Sequence, residues 1–340
     1  MKLLESNKKY REFTGVEKFH RAGYYGTRAA AVTAETIDPA WFPENYAENL
    51  GGESADWGHA YMTAAVFFQA APLAKLYSCP MGHNTIGGKF TSKLYDEWMP
   101  TLKELDVTLM FCSLANAHQD SRVIDGLSNR LQQNRCFTPF YCAGNESSDS
   151  FNAYLKVPEI AGVGAIIIDV NGNIYPANYT SKSECVDFGA TTNINYTGPN
   201  DDQEASGTGT SAATPWLCGM AALVQDFFVH RTGKPLDRES LLRFFMDHTV
   251  DVGAPGFDTQ VGNGAVVLPD PKDIDIFKYQ KWEDCMEYTD KDKIPSWARE
   301  GVAYCTANGL MDGVDGGRFD PDGVVTRAQL ATVLARLANQ

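Results

Sequence analysis

Short, continuously apolar runs alternate with longer amphipathic ones through the first 270 residues. "TRAAAVTA", "AKLYSCPM", "DVTLMFCSL", "CFTPFYCAG" and "GVGAIIIDV" are bounded by turn residues and are too short for globular helices. This pattern predicts strands buried on both faces. Between them, "GHAYMTAAVFFQAA", "KLYDEWMPTLKEL" and "RVIDGLSNRLQQN" have helical length and spacing. Strand, helix, strand in repetition predicts an α/β fold with a mostly parallel sheet flanked by helices. In such sheets the chemistry gathers at the carboxyl ends of the strands. A charged, proline-punctuated stretch, "LPDPKDIDIFKYQKWEDCMEYTDKDKIP", then leads to two more helical runs, "SWAREGVAYCTANG" and "TRAQLATVLARLAN", joined by "LMDGVDGGRFDPDGVV". The expected organisation is a first domain over 1–270, a linker over 271–287 and a small helical module over 288–340.

The 340 residues suit a large domain with an appended module. Hydrophobic residues at 44% and charged residues at 21% are the balance of a soluble globular protein. A net charge of −14 without clustered Lys and Arg argues against a nucleic-acid partner. The start, "MKLLESNKKYREF", lacks the apolar core of a secretory signal, so the expectation is no export signal and a cytoplasmic site of synthesis. The longest apolar run is read as "AGVGAIII", well short of the roughly 18 residues of a membrane span, so no membrane partner is expected. Eight cysteines, at 79, 112, 136, 142, 185, 218, 285 and 305, form no C-x-x-C pair or Cys/His cluster. They read as buried free thiols, with disulfides the alternative that an even count leaves open, and no metal or other cofactor is expected.

Candidate chemistry centres on "GTGTSAATPWLCGMAALV", residues 207–224. Ser211, before small residues and an apolar run, fits an ordinary helix cap. It equally fits a nucleophile, provided that a base, an orienting acid and oxyanion donors stand nearby. Asn145, in "FYCAGNESS", is either a turn residue after a strand or such a donor. His59 opens a helix, where it caps or acts as base, and Glu35 is either an exposed strand-end acid or the orienting group. His83, in the loop "MGHNTIGG", is the alternative base, and Asp38 the alternative acid.

Taken in order, these segments resemble the subtilisin-like serine proteases, or subtilases, over about residues 15 to 270. "GTSAATP" is similar to the family's nucleophile motif, which implies that Ser211 attacks the substrate. "AGN" at 143–145 resembles the strand end whose asparagine donates to the oxyanion, a role that passes to Asn145. "GHAYMTAAVFFQAAPLAKLY" resembles the histidine helix with His59 as base, although Ala60 and Tyr61 replace the usual Gly and Thr. "GYYGTRAAAVTAETIDPAWFP" resembles the opening of the fold. Counting from Gly26 puts Glu35 where the family has aspartate and Ile37 where it has glycine. "VTLMFCSLANA" resembles the strand that pairs with an extended substrate. The resemblance makes Ser113, Leu114, Ala115, Asn116 and Gly144 substrate-binding, with Ala115 and Asn116 where glycines are common. "FDTQVGNGAVVLPD" resembles the closing strand. No calcium loop of the kind often inserted in the histidine helix is expected, nor an inhibitory propeptide, since the match starts near residue 15.

The stretch from "YTDKDKIP" to the C-terminus resembles a single S-layer homology domain, matching at Trp297, Gly309, Gly313, Phe319, Pro321, Thr326 and Arg327. The resemblance implies binding to cell-wall polymers through Trp297 and Arg327, although one copy also suits a packing or dimerising unit. The expected function is a bacterial or phage serine endopeptidase with peptide or protein substrates and a Glu-His-Ser triad, wall- or virion-associated after synthesis. The alternative is a catalytically impaired relative that binds peptides or serves assembly, because glutamate is one methylene longer than aspartate and small displacements are costly in such a site.

Overall fold

The computed structural model describes residues 2–51, 58–79, 93–115, 121–199 and 201–338. Its strands are β1 (Ala30–Thr33), β2 (Ala47–Asn49), β3 (Lys75–Ser78), β4 (Leu109–Cys112), β5 (Thr138–Cys142), β6 (Ala161–Ile168), β7 (Ile174–Pro176), β8 (Phe188–Thr191), β9 (Ile194–Gly198), β10 (Asp201–Gly207), β11 (Thr249–Val250) and β12 (Ala265–Val266). Among the described residues, ten of these form one sheet in the order β11-β12-β8-β6-β5-β4-β1-β3-β2, with β7 added on β6. From β12 to β2 every neighbouring pair is parallel, while β11 and β7 pair antiparallel. β9 and β10 form a separate antiparallel hairpin. The chain has the α/β architecture that the run of apolar segments predicts, and the five strands read from sequence correspond to β1, β3, β4, β5 and β6.

The main helices are α1 (Lys8–Phe13), α2 (Val16–Arg21), α3 (His59–Ala70), α4 (Met99–Glu104), α5 (Ser121–Gln132), α6 (Thr210–Thr232), α7 (Arg238–Met246), α8 (Arg299–Ala307) and α9 (Arg327–Ala338). Side chains alternate across the sheet. Ala31, Leu109, Phe111 and Phe140 join a core with α3 and α6, whereas Val32, Met110 and Tyr141 join another with Leu102 of α4 and Leu127 of α5. Burial on both faces is why these strands read as unbroken apolar runs instead of alternating ones.

α6 corrects one reading. At 23 residues it is long and apolar enough by composition to cross a membrane, which residues 161–168 are not. In the fold 94% of that apolar window is buried, so its lack of a polar stripe reflects contact with protein on every side.

The C-terminal region has a small core of its own, built from Trp282, Met286, Ile294, Val302 and Ala303, while Ile276 and Tyr279 belong to the main core. α8 packs against the last turns of α6. Asn308 Nδ2 donates to the His230 carbonyl at 2.9 Å, Arg231 pairs with Glu300, and the Tyr304 ring meets His230 edge-on. α9 buries none of its side chains and is tied down by Arg336, whose Nη1 donates to the Leu310 carbonyl at 3.2 Å and to Asp312 at 2.8 Å. All eight cysteines are free thiols, as read, but only five are buried: Cys136 is exposed, and Cys185 and Cys305 are partly so.

Candidate active site

Three strand ends converge on one helix start. Glu35 follows β1, Ser113 follows β4 and Asn145 follows β5, all at carboxyl edges, and Ser211 lies in the first turn of α6. β1 separates β3 from β4, so the chain leaves the middle of the sheet in both directions there. This is the crevice position expected of open α/β sheets.

His59 begins α3, and its Nδ1 lies 2.6 Å from Glu35 Oε1. With Nδ1–H donating to the carboxylate, Nε2 is left as the acceptor. Glu35 is 9% exposed and the imidazole 44%, so the acid is sheltered while the ring faces solvent. Burial pulls the imidazole pKa down, but the hydrogen bond and the charge of Glu35 more than offset it, and the net shift is upward. One turn along α3, Thr63 Oγ1 lies 3.3 Å from Glu35 Oε2 and 3.1 Å from the Ala60 carbonyl. The i,i+4 spacing of His59 and Thr63 sets both over the acid. The glutamate charge also reaches the thiols below it: burial first, and Glu35 second, push Cys142 up to about 12.

Pro215 shapes the other half. It has no N–H for the Ser211 carbonyl four residues back, and Ser113 Oγ donates there instead at 2.9 Å. Ser211 Oγ in turn donates to the Ser113 carbonyl at 3.3 Å. Its hydroxyl is therefore turned toward β4 and makes no hydrogen bond to His59 among the described residues.

Asn145 has its amide orientation set by chemistry. Thr210 N and Oγ1 donate to it at 2.9 and 3.0 Å, so the atom they meet must be Oδ1. The Nδ2 group is left as a donor for the cavity. Thr210 N–H is spent on Asn145 and Ala212 N–H on the Gly209 carbonyl, which leaves Ser211 N–H without a protein acceptor among the described residues. Two donors thus stand beside Ser211 at a helix N-terminus, where negative charge is stabilised. Gly209, at φ 85°, is required: a Cβ there would lie 3.2 Å from Asn145 Nδ2.

Two cavities meet at Ser211. One of about 620 Å³ is lined by His59, Met62, Asn145, Tyr179, Tyr196 and Ser211 among others. The second, of about 470 Å³, is lined by Ser113, Ala115, Cys142, Gly144, Asn145, Phe151, Asn152 and Ser211 among others. Leu114 is partly exposed beside it, and its carbonyl accepts from Asn152 Nδ2 at 3.3 Å. Asn116 and His83 lie outside the described residues. Asp38 caps the turn Pro39–Trp41, its Oδ1 accepting from Ala40 N at 2.9 Å. His20, His230 and His248 bond Ala70 O, Tyr24 OH and Phe244 O respectively. In the C-terminal region Trp297 is 86% exposed and Arg327 is exposed at the start of α9. The sequence reading had singled out neither Thr63 nor the tyrosines of the larger cavity. Helical spacing from His59 could have signalled Thr63, whereas nothing local signals Tyr179 or Tyr196.

A family model described as the subtilase family matches residues 52–264, and one described as the S-layer homology domain matches 287–331. Among solved structures, the prenylagaramide maturation protease PagA is similar at 16% identity and TM-score 0.62, covering 76% of this chain and 96% of that one. A lanthipeptide protease matches at 16% identity and TM-score 0.63, covering 77% and 93%. The PatG macrocyclase, solved with a peptide, matches at 16% identity and TM-score 0.60, covering 79% and 97%. At such identities the likeness is one of fold.

Proposed function

Because the chain belongs to the subtilase family, we propose that it is a serine endopeptidase with a Glu35-His59-Ser211 triad. The observation that carries this reading is the 2.6 Å contact between Glu35 and His59 on the rim of a cavity that Ser211 shares. The family match begins after Glu35, so the acid's role rests on that contact. In the reaction the Ser211 hydroxyl turns from the Ser113 carbonyl to His59 Nε2, which takes its proton as Oγ attacks the peptide carbonyl carbon. Asn145 Nδ2 and the Ser211 N–H hold the oxyanion. Glu35 stabilises the imidazolium, which then protonates the leaving amine as the C–N bond breaks, and water frees the acyl group by the reverse route. Ser113, Ala115 and Gly144 line the acyl side, with Leu114 and Asn116 on the same segment of chain.

The second reading, a peptide-binding relative without activity, is favoured by one observation, the Ser211 hydroxyl bonded to β4 instead of His59. Labelling with a fluorophosphonate separates the two. The intact protein is expected to label at Ser211, the Ser211→Ala variant not at all, and the Asn145→Ala variant roughly a hundredfold more slowly or worse. An intact protein that stays unlabelled beside a labelled control protease would select the second reading.

We also propose that the S-layer homology domain, within the module at 288–340, holds the enzyme at the bacterial cell wall. Trp297 offers an exposed ring for stacking on sugar, and Arg327 a cation for anionic groups. The protein is expected to co-sediment with purified wall fragments, and Trp297→Ala with Arg327→Ala to remain in solution. Equal sedimentation of both would remove these residues from the role.

A further inference from the structure

The cavity of about 620 Å³ differs from its neighbour in one decisive respect: His59 lines it. In acyl transfer the histidine hands its proton to the departing amine, so the leaving half of a substrate lies on the histidine's side of the nucleophile. That places the segment after the scissile bond in the larger cavity and the acyl half in the smaller one.

One part of the larger cavity's wall is aromatic and sulfur-bearing, the rest being formed by Asn145, Ser206, Thr208 and Ser211 with two glycines. Met62 comes from α3, Tyr196 from the β9–β10 hairpin and Tyr179 from the loop after β7. The Tyr179 hydroxyl is already engaged, accepting from Gly209 N at 3.2 Å and lying 3.4 Å from Thr192 Oγ1, so only its ring is available. Among the described residues, His59 is the one titratable cation lining the space, and none of them lines it with a carboxylate. The walls are also held before any ligand arrives. Tyr61 OH donates to the Thr197 carbonyl at 2.5 Å, and the Tyr61 ring lies 5.9 Å from that of Tyr196. From the far side Asn7 acts as a short strand, donating to the Asn195 carbonyl at 2.7 Å and accepting Asn195 N–H at 2.8 Å.

Resting on the peptidase reading, we propose that this cavity is a specificity site selecting a large apolar or aromatic residue immediately after the scissile bond, with Met62 and Tyr196 as its determinants. A bulky apolar group gains transfer energy and ring contacts there, whereas a carboxylate loses hydration with no cation among the described lining residues to receive it except the base whose proton the reaction needs. Preformed walls spend little of that gain on ordering.

The test is digestion of a proteome-derived peptide library, with the residues on both sides of each cleaved bond read by mass spectrometry. Leu, Ile, Met and Phe are expected to be enriched about tenfold over Asp and Glu at the first leaving-side position. Tyr196→Ser, a change on a surface hairpin, is expected to flatten that preference to under about threefold while the acyl-side preferences are kept. Cleavage with a flat leaving-side profile, or a preference untouched by Tyr196→Ser, would overturn the assignment and leave the peptidase reading standing. Failure of Ser211 to label would overturn the reading beneath it.

Discussion

Replacing Glu35 with glutamine is expected to lower kcat/KM by about four orders of magnitude and to move the acid limb of its pH profile to lower pH. The magnitude is that of losing the orienting acid in a serine triad, because the amide favours the wrong imidazole tautomer and no longer balances the imidazolium. The direction follows from His59, whose net shift is upward because the hydrogen bond and charge of Glu35 outweigh burial. The reaction needs the ring neutral, so activity rises as pH climbs through the His59 pKa. Removing the carboxylate leaves burial unopposed, the pKa falls, and the limb falls with it. Glu35→Asp carries a second expectation. The side chain shortens by about 1.5 Å, while the backbone after β1 is placed so that glutamate reaches Nδ1 at 2.6 Å. Restoring the family's aspartate should therefore cost about a hundredfold. Rates of fluorophosphonate labelling across the neutral range measure both. An acid limb that does not move in Glu35→Gln would exclude Glu35 as the partner of the base.

What the sequence shows of this site, and what it hides, divides along a physical line. The apolar runs at 27–34, 106–114, 136–144 and 162–170 announce β1, β4, β5 and β6 because burial on both faces leaves a local signature. Glu35, Asn145 and Ser211 could be picked out because each sits in a short motif next to such a run. The hairpin β9–β10 went unread because its partly exposed strands lack a clean alternation, and its position depends on Asn7, nearly two hundred residues earlier. Tyr179 and Tyr196 are separated from His59 by more than a hundred residues, and no local pattern carries a tertiary neighbour. The rotamer of Ser211 is likewise set by Ser113 across the sheet edge. α6 read only as a long apolar run, and that reading passed over the buried acid within it.

That residue, Asp226, supports the second large expectation: Asp226→Ala should destabilise the protein by about 3–5 kcal/mol, the usual cost of removing one partner of a buried charge cluster. Its side chain is fully buried in α6. Oδ2 accepts the N–H groups of Tyr25, Gly26 and Thr27 at 3.2, 2.9 and 3.2 Å, and Oδ1 accepts Arg28 N at 3.2 Å and Arg28 Nη1 at 3.1 Å. The carboxylate thus takes four consecutive backbone donors that no strand or helix could satisfy, and alanine would leave at least the buried Gly26 N–H unpaired. Gly26 is needed for so close a wrap: it adopts φ 93°, and a Cβ there would lie 2.9 Å from the Ala74 side chain. Asparagine keeps the volume but turns an N–H toward donors on one side, so Asp226→Asn should lose nearly as much. Arg28 is 41% exposed and can turn to water, so Arg28→Ala should cost less than about 1 kcal/mol. Thermal unfolding of the three variants measures the ranking, with the Asp226 variants melting roughly 10 °C lower. A melting point for Asp226→Ala within a degree or two of the native protein would show that water or a shifted loop replaces the carboxylate. The same loop leads directly into β1, so Asp226, on the helix that carries Ser211, also fixes the strand that leads to Glu35, and the two expectations share one structural cause.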